Sequence, residues 1–316
     1  MYLREVVEIK RHLEEEFLAK PFRLTKSAAL LAGFQVGAYV KTYEPINGIG
    51  IGYGGRRDAY YAEIMLREKA EVHLSSLAKF FNVSPESFRV KYVGKISALH
   101  MTNRHRPAFP GVSVGHYNIT TGTFGCLVED EDGKVHILSN NHVLANLNSA
   151  QLGDPILQPG PADGGNRSSD NIAELSAYMP IDFQGLNRID SALAEPLNYS
   201  DVLPDIPHIG YVTGITNPRL NIRVIKFGRT TGLTFGVLVA RNATIKVDMG
   251  GRDVLFEDQI VIEGDRGRFS NGGDSGSLIL DTNRRAVGLL FAGSTTGVTF
   301  ANPIDDVLTL LSVGII

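Results

Sequence analysis

The sequence predicts a mainly β protein: two small β-barrels closed by a terminal helix, with a small α+β domain ahead of them. Three observations lead there. Glycine is abundant, 34 of 316 residues, and Val, Ile, Thr and Tyr recur in short runs between turn signals, as a strand-rich chain requires. From about residue 106 the pattern is strands and turns until one closing helix, which suits small antiparallel barrels. The stretch before that mixes helix and strand. The expected domains are therefore 1–105 and 106–316, the second dividing into barrels over about 106–203 and 204–316.

The elements follow in order. "MYLREVVEIKRHLEEEFLAK" is charged throughout, with Val6, Ile9, Leu13 and Phe17 at helical spacing, so it reads as an amphipathic helix and not as an export signal. "SAALLAGFQVGAYV", the longest mostly apolar run, is too short to span a bilayer and contains two glycines. A soluble, cytoplasmic protein is the expectation. "GIGIGYGG" and "AYYAEIMLRE" read as two strands joined at "GGRRD", "EVHLSSLAKFFN" as a short helix and "SFRVKYVGKI" as a further strand. In "GIGIGYGG" the glycines alternate with Ile49, Ile51 and Tyr53, giving a strand one glycine face and one apolar face. No Gly-Lys-Ser/Thr accompanies it, so a nucleotide loop is rejected. "TNRHRPAFPGVSVGH" shifts to basic, Pro and Gly residues, a linker or entry strand. "GTFGCLVEDEDGKVHILSN" is a hairpin about Asp132-Gly133, and "NIRVIKFGRTTGLTFGVLVARNATIKV" repeats that logic about Gly228 and Gly232. "RAVGLLFAGS" and "TGVTFANPI" supply two more strands. In "NPIDDVLTLLSV", Asn302 reads as helix cap, Pro303 as the first helical residue, and Asp305 and Asp306 as first-turn acids.

Composition narrows the function. Net charge is −3 with both signs interspersed, which argues against nucleic acid or an anionic membrane as partner. A single cysteine, Cys126, excludes an intrachain disulfide framework and a Cys-rich metal site; in "FGCLV" it reads as core. His100, His105, His116 and His136 lack metal-ligand spacing with acids, so neither metal nor cofactor is assigned. The "EDED" run reads as a solvated hairpin tip.

"GGDSGSLIL", Gly272 to Leu280, sets an Asp-Ser pair between glycines just before an apolar strand. A serine hydroxyl is a weak nucleophile; it needs a base, a group orienting that base, and donors for the developing oxyanion. Chain order tests the arrangements. A nucleophile elbow of the G-x-S-x-G kind fails, because Ser277 stands where its last glycine should be and no histidine follows His208. A Ser-x-x-Lys pair fails at Leu278. The order Asp, His, Ser is permitted by counting but belongs to a fold with alternating helices, which this region lacks. There remains His, Asp, Ser, the order of the double-β-barrel proteases. Among the histidines, His142 alone ends an apolar strand and opens a small-residue turn, "HILSNNHVLAN". Asp190 lies inside the apolar segment "NRIDSALAEP", where a carboxylate is costly unless hydrogen-bonded; the rival Asp182 has a loop-like setting, "MPIDFQGLN".

"SNNHVLA", "RIDSALA" and "GGDSGSLIL", in this order, resemble the three catalytic motifs of the trypsin/chymotrypsin-like serine protease family. More narrowly, "GTFGCLV", "LSNNHVLAN", "GRTTGLTFG" and "FSNGGDSGSLI" resemble a bacterial branch of trypsin-like proteins and the protease domain of plant Narrow Leaf 1. The likeness covers about residues 108 to 316. It implies a mainly β, chymotrypsin-like double six-stranded antiparallel β-barrel preceded by the small α+β domain. It implies Ser275 as nucleophile, His142 as general base and then acid, Asp190 as orienter, and the amides of Gly273 and Ser275 as oxyanion hole. Glycine at 273 admits the backbone conformation that aims its N–H at the oxyanion.

The same resemblance places Phe269, Phe291, Gly293 and Thr299, with Phe300 nearby, about the substrate. Phe269 stands where trypsin has its specificity acid, so cleavage after Lys or Arg is not expected. Phe291 stands where the family usually has a serine near the buried Asp. Asp274 is expected to be buried and paired with an internal cation, Arg229 or Arg268. The reading is a serine-type endopeptidase acting on protein or peptide substrates, with a catalytically silent peptide-binding module as the alternative. The N-terminal domain is expected to regulate access, receive a regulatory partner or self-associate.

Overall fold

The computed structural model describes residues 1–17, 46–55, 60–69, 72–93 and 100–316. The chain divides into two compact units, Met1–Leu99 and His100–Ile316. The apolar run at 27–40, the arginines of the turn at 56–58 and the end of the strand expected to reach residue 96 lie outside the described residues.

In the first unit, helical spacing has its expected consequence: α1 (Leu3–Phe17) buries Val6, Ile9 and Leu13. It packs on a three-stranded sheet of β1 (Ile46–Tyr53), β2 (Tyr60–Leu66) and β3 (Phe88–Tyr92). β1 and β2 run antiparallel. β2 and β3 run parallel, since α2 (Leu74–Phe81) carries the chain back between them. Leu77 and Ala78 of α2 join Ile49, Ile64, Leu66 and Phe88 in one core. The glycines of β1 face away from it, with Met65 over Gly48 and Gly50 and the Tyr61 ring over Gly52. Their role here is close packing beneath long side chains.

The regular elements of the second unit are mostly strands. In chain order these are β4 (Ser113–His116), β5 (Gly122–Thr123), β6 (Cys126–Asp130), β7 (Val135–Ser139), β8 (Pro155–Leu157) and β9 (Asn171–Tyr178). Then come β10 (Leu186–Asn187), β11 (Ala192–Pro196), β12 (Gly214–Ile215), β13 (Arg223–Gly228), β14 (Gly232–Asp248) and β15 (Asp253–Gly264). β16 (Leu278–Asp281), β17 (Arg285–Gly293), β18 (Thr299–Pro303) and β19 (Val313–Ile315) complete the set. The helices are α3 (Asn141–Leu144) and α4 (Ile304–Leu311). The expected hairpins form: Cys126 pairs with Leu138 and Glu129 with Val135, while Arg223 to Gly228 pair with Val237 to Gly232.

The ladders differ between the two halves. β18 pairs with both β15 and β17, so β13, β14, β15, β18, β17 and β16 each have two antiparallel neighbours within a ring of six. The earlier strands form an open path, β19-β6-β7-β11-β9-β8-β4-β5. Short parallel pairings add β10 to β15 and β12 to β17. The described ladders are thus a mainly β, two-sheet architecture, and the first sheet lacks the six-strand closure expected of it. Inside the ring, Val224, Leu238, Ile260, Phe269, Ile279 and Leu290 share one core. A larger core, with Phe124, Ile137, Leu144, Ile172 and Leu193, takes in Leu278 and Leu289 from the ring and Val307 from α4, so the halves share apolar surface.

One local expectation is corrected. The terminal helix starts at Ile304, with Pro303 in the capping position. Asn302 does not cap it, because its side chain is spent elsewhere: Oδ1 accepts from the Asp190 amide (3.0 Å) and Nδ2 donates to Gln259 Oε1 (2.7 Å). Among the described residues no helix is long and apolar enough to cross a membrane, and no group of three or more His, Cys, Asp or Glu is placed to hold a metal.

Burial pushes the Cys126 thiol up to about 12, and only the thiolate reacts readily. In native protein at about pH 8 we expect Cys126 to resist a disulfide-exchange thiol reagent, and to react fully after unfolding in urea. Rapid labelling of the native chain would contradict the burial of its side chain.

Candidate active site

α3 is a single turn that begins where β7 ends, and asparagines hold it in place. Asn140 Nδ2 donates to the Asp190 carbonyl at 2.7 Å instead of capping the turn. Asn141 Nδ2 reaches Asn148 Oδ1 and the Met179 carbonyl, both at 2.8 Å. Asn148 in turn exchanges hydrogen bonds with the backbone of Ile181. These bonds stabilise three consecutive left-handed residues, Asn146, Leu147 and Asn148, which no isolated loop would favour. They bring the segment before Asp190 against the turn that carries His142.

Asp190 is fully buried, whereas the rival Asp182 is exposed and bonds the Gln184 amide. The Asp190 carboxylate accepts two N–H donors, both from His142: the backbone amide at 3.2 Å and ring Nδ1 through a short bond. A carboxylate facing Nδ1 makes that nitrogen the proton-bearing one and leaves Nε2 as the basic position. The His142 side chain is 25% exposed, so its free edge reaches solvent.

The turn around Ser275 has its own logic. Residues 271 to 277 carry seven backbone amides. Asn271 N donates to Asp274 Oδ2, Gly272 N to Asn271 Oδ1, Asp274 N to Asn271 O, Gly276 N to Leu290 O and Ser277 N to Asp274 O. Among the described residues, Gly273 N and Ser275 N have no acceptor. Two free amides on one turn are what an oxyanion site requires. Gly273 has φ +94°, and a Cβ there would stand 2.6 Å from Thr230 Oγ1 and 2.7 Å from Arg229 Nη1. Only glycine fits.

Asp274 is fully buried beneath this turn. Its oxygens receive Thr230 N (2.8 Å), Thr231 N (3.1 Å), Thr231 Oγ1 (2.6 Å) and Asn271 N (3.0 Å). The cation beside it is Lys226, with Nζ 3.5 Å from Oδ2 and no exposed side-chain surface. Burial lowers the Lys226 pKa, and the Asp274 charge opposes that shift. The expected partners lie elsewhere: Arg229 pairs with Asp163, and Arg268 bonds the Thr295 carbonyl at the surface. Lys226 was legible in principle, since period two puts it on the inward face with Val224.

The His142 turn and the Ser275 turn rest on the same short segment, Gly122–Thr123. Thr123 N donates to the Ser275 carbonyl at 2.7 Å, and Thr123 Oγ1 to the Gly273 carbonyl at 2.8 Å. A Cβ on Gly122 would meet both Val143, next to His142, and the Ser275 carbonyl. Gly276, at φ +95°, leaves room for Ser139 and the Thr123 carbonyl. The Ser275 hydroxyl itself points to the Phe291 carbonyl at 3.4 Å. It makes no hydrogen bond to His142. Of the three residues, the structure joins His142 and Asp190 directly and sets Ser275 on the neighbouring turn.

The residues expected around substrate divide. Phe269 is fully buried inside the ring, and the Phe291 ring packs on Phe256 (centroids 4.8 Å apart) beside Ile181 and Val254. Both rings therefore belong to cores, and what Phe291 offers the site is its carbonyl. Gly293 is exposed and pairs with Thr299, which is buried and shares a 2.7 Å hydroxyl contact with Ser270. Phe300 is half-buried against the Phe256 cluster. Ser270 was missed by the sequence reading, and nothing but its nearness to Ser275 marked it out.

A second chain of the same residue types sharpens the criteria. Ser176 Oγ lies 3.0 Å from His136 Nδ1, and His136 Nε2 lies 3.0 Å from Asp130 Oδ2. That bond, first among the causes, lowers the Asp130 pKa. Yet His136 is almost fully buried and no residue of β9 has a positive φ. Three side chains in a row do not make a reaction centre without free donors beside the hydroxyl.

Residues 201–300 match the family model described as the Nal1 C-terminal domain. Protein NARROW LEAF 1 of Oryza sativa subsp. japonica is 26% identical over 203 residues, covering 55% of this chain and 34% of that protein. The chain thus spans about a third of the length of this curated relative. Among solved structures, it is similar to Thermobifida fusca protease A (19% identity, TM-score 0.49, 66% of this chain and 99% of that one). A glutamic acid specific serine protease gives 16% identity and a TM-score of 0.49, covering 66% of this chain and 100% of that one.

Removing one partner of a buried ion pair costs about 3–5 kcal/mol because the other charge is stranded. We expect Lys226→Met to lower the unfolding free energy measured by urea titration by an amount in that range, and Arg268→Ala to leave it nearly unchanged. Equal, small effects would show that Asp274 does not depend on Lys226.

Proposed function

We propose that the second unit is a serine endopeptidase of the trypsin/chymotrypsin type. The observation that carries this reading is the pair of acceptor-free amides, Gly273 N and Ser275 N, on the turn that bears the Ser275 hydroxyl. The His142 Nδ1 bond to buried Asp190 supports it from the neighbouring turn.

In this reading the Ser275 side chain rotates from the Phe291 carbonyl toward His142. Nε2 takes the hydroxyl proton as Oγ attacks the peptide carbonyl carbon, and the Gly273 and Ser275 amides receive the oxyanion. The resulting imidazolium, stabilised by Asp190, protonates the leaving amine. A water molecule then repeats the sequence on the acyl-enzyme and regenerates Ser275. No cofactor enters. Ser270, Gly293 and Thr299 carry no charge of their own, which favours a neutral residue on the acyl side of the cleaved bond. The first unit regulates access or receives a partner.

A second reading is a catalytically silent peptide-binding module. It draws on the Ser275 Oγ contact to Phe291, which leaves the hydroxyl unattached to His142.

A fluorophosphonate probe separates the two. We expect it to label Ser275 in the full chain, and labelling to be lost in His142→Ala. Peptide hydrolysis should drop by about a millionfold in Ser275→Ala, with the fold intact by circular dichroism. Hydrolysis undiminished in that variant would overturn the protease reading.

A further inference from the structure

The free amide of Gly273 raises a mechanical question: what keeps it aimed at the cleft? A trans peptide is planar, and its C=O and N–H point in opposite directions. Whatever holds the Gly272 carbonyl therefore sets where the Gly273 N–H points. Thr230 Oγ1 donates to the Gly272 carbonyl at 2.8 Å. The same oxygen accepts from Arg229 Nη1 at 3.0 Å, which commits its own proton to Gly272. Arg229 is oriented in turn by Asp163, through Nε at 2.8 Å and a second, short bond from Nη2. Asp163 and Arg229 are largely buried, with side chains 7% and 17% exposed. Asp163 ends the single turn Pro161–Asp163 between β8 and β9, so the chain starts in the first sheet and ends at the Ser275 turn.

We propose that Asp163, Arg229 and Thr230 form a positioning relay that fixes the Gly272–Gly273 peptide plane and so holds the Gly273 N–H ready for the oxyanion. The relay deepens the hydrolase reading and rests on it for its effect on rate. Each link is charge-assisted or polarised by the one before it, which strengthens the final bond to the carbonyl. The Gly273 carbonyl is held by a different hydroxyl, Thr123 Oγ1 at 2.8 Å, which itself accepts from the Arg229 amide at 3.2 Å. A glycine at φ +94° has no side chain to resist rotation of the 272–273 plane. The hydroxyl at residue 230 supplies that resistance.

Thr230→Val keeps the shape and removes the hydroxyl. We expect kcat on a peptide substrate to fall about a hundredfold, the scale of losing one oxyanion donor, with KM within about twofold of wild type. Thr230→Ser should restore kcat, and Asp163→Asn should lower it in the same direction. A crystal structure of the full-length Thr230→Val chain should show the Gly272 carbonyl rotated from its wild-type direction. A valine variant with wild-type kcat, an equal loss in the serine variant, or an unrotated carbonyl would each overturn the relay. Failure of the hydrolase reading has a different signature, a wild-type chain that neither hydrolyses peptides nor takes the fluorophosphonate. In that event the carbonyl direction in the valine variant still decides the relay.

Discussion

Asp274 carries its charge at a point with no solvent exposure, and the protein answers by converging four hydrogen-bond donors and the Lys226 ammonium on its two oxygens. That convergence shapes the surface above it. Thr230 and Thr231 can reach the carboxylate only if the β13–β14 turn folds over the 271–274 turn, and Asn271 can reach it only if that turn is tight. On the turn so fixed, the Gly273 and Ser275 amides are left without an acceptor among the described residues. A buried charge rarely adds stability over an apolar replacement of the same shape. Its return here is geometric, since one anion sets the conformation of two turns.

The same economy of anchors couples the two halves of the second unit. Thr123, from the short β5, bonds the carbonyls of Gly273 and Ser275 and accepts from Arg229 N. Asn302, from β18, holds the Asp190 amide, and Asn140 holds its carbonyl. The Thr123 and Asn302 contacts each join a strand of one sheet to a segment of the other, whereas Asn140 braces Asp190 within the first sheet. Relative movement of the sheets would therefore disturb the imidazole pair and the serine turn together.

Much of this was legible in the sequence, for physical reasons that differ by element. α1 was legible because three apolar residues at helical spacing have no other use on a charged segment. The β6–β7 and β13–β14 hairpins announced themselves by alternation about a glycine turn. His142 and Asp190 were legible through a strand end and an acid in an apolar run, both local features. Lys226 and Asp163 were not singled out and Asn302 was given another role, because their partners lie far along the chain and such polar side chains usually satisfy themselves in water or locally. Asn302 illustrates the failure best. Locally it has every mark of a helix cap, and a nonlocal bond to a buried backbone amide outcompetes that use. Phe269 and Phe291 show the converse, since position in a motif does not say which way a ring turns.

The outer border of the first sheet has a further consequence. β19, three residues long with Gly314 at its centre, pairs antiparallel with β6 from Asp130 to Val128. Without it, β6 would present a row of unpaired amides and carbonyls, the template on which separate molecules add strands to one another. A stub so short, with no side chain at its middle, offers little to a passing chain. β19 therefore closes the longer β6 edge to strand addition, and that border of the sheet ends on three residues.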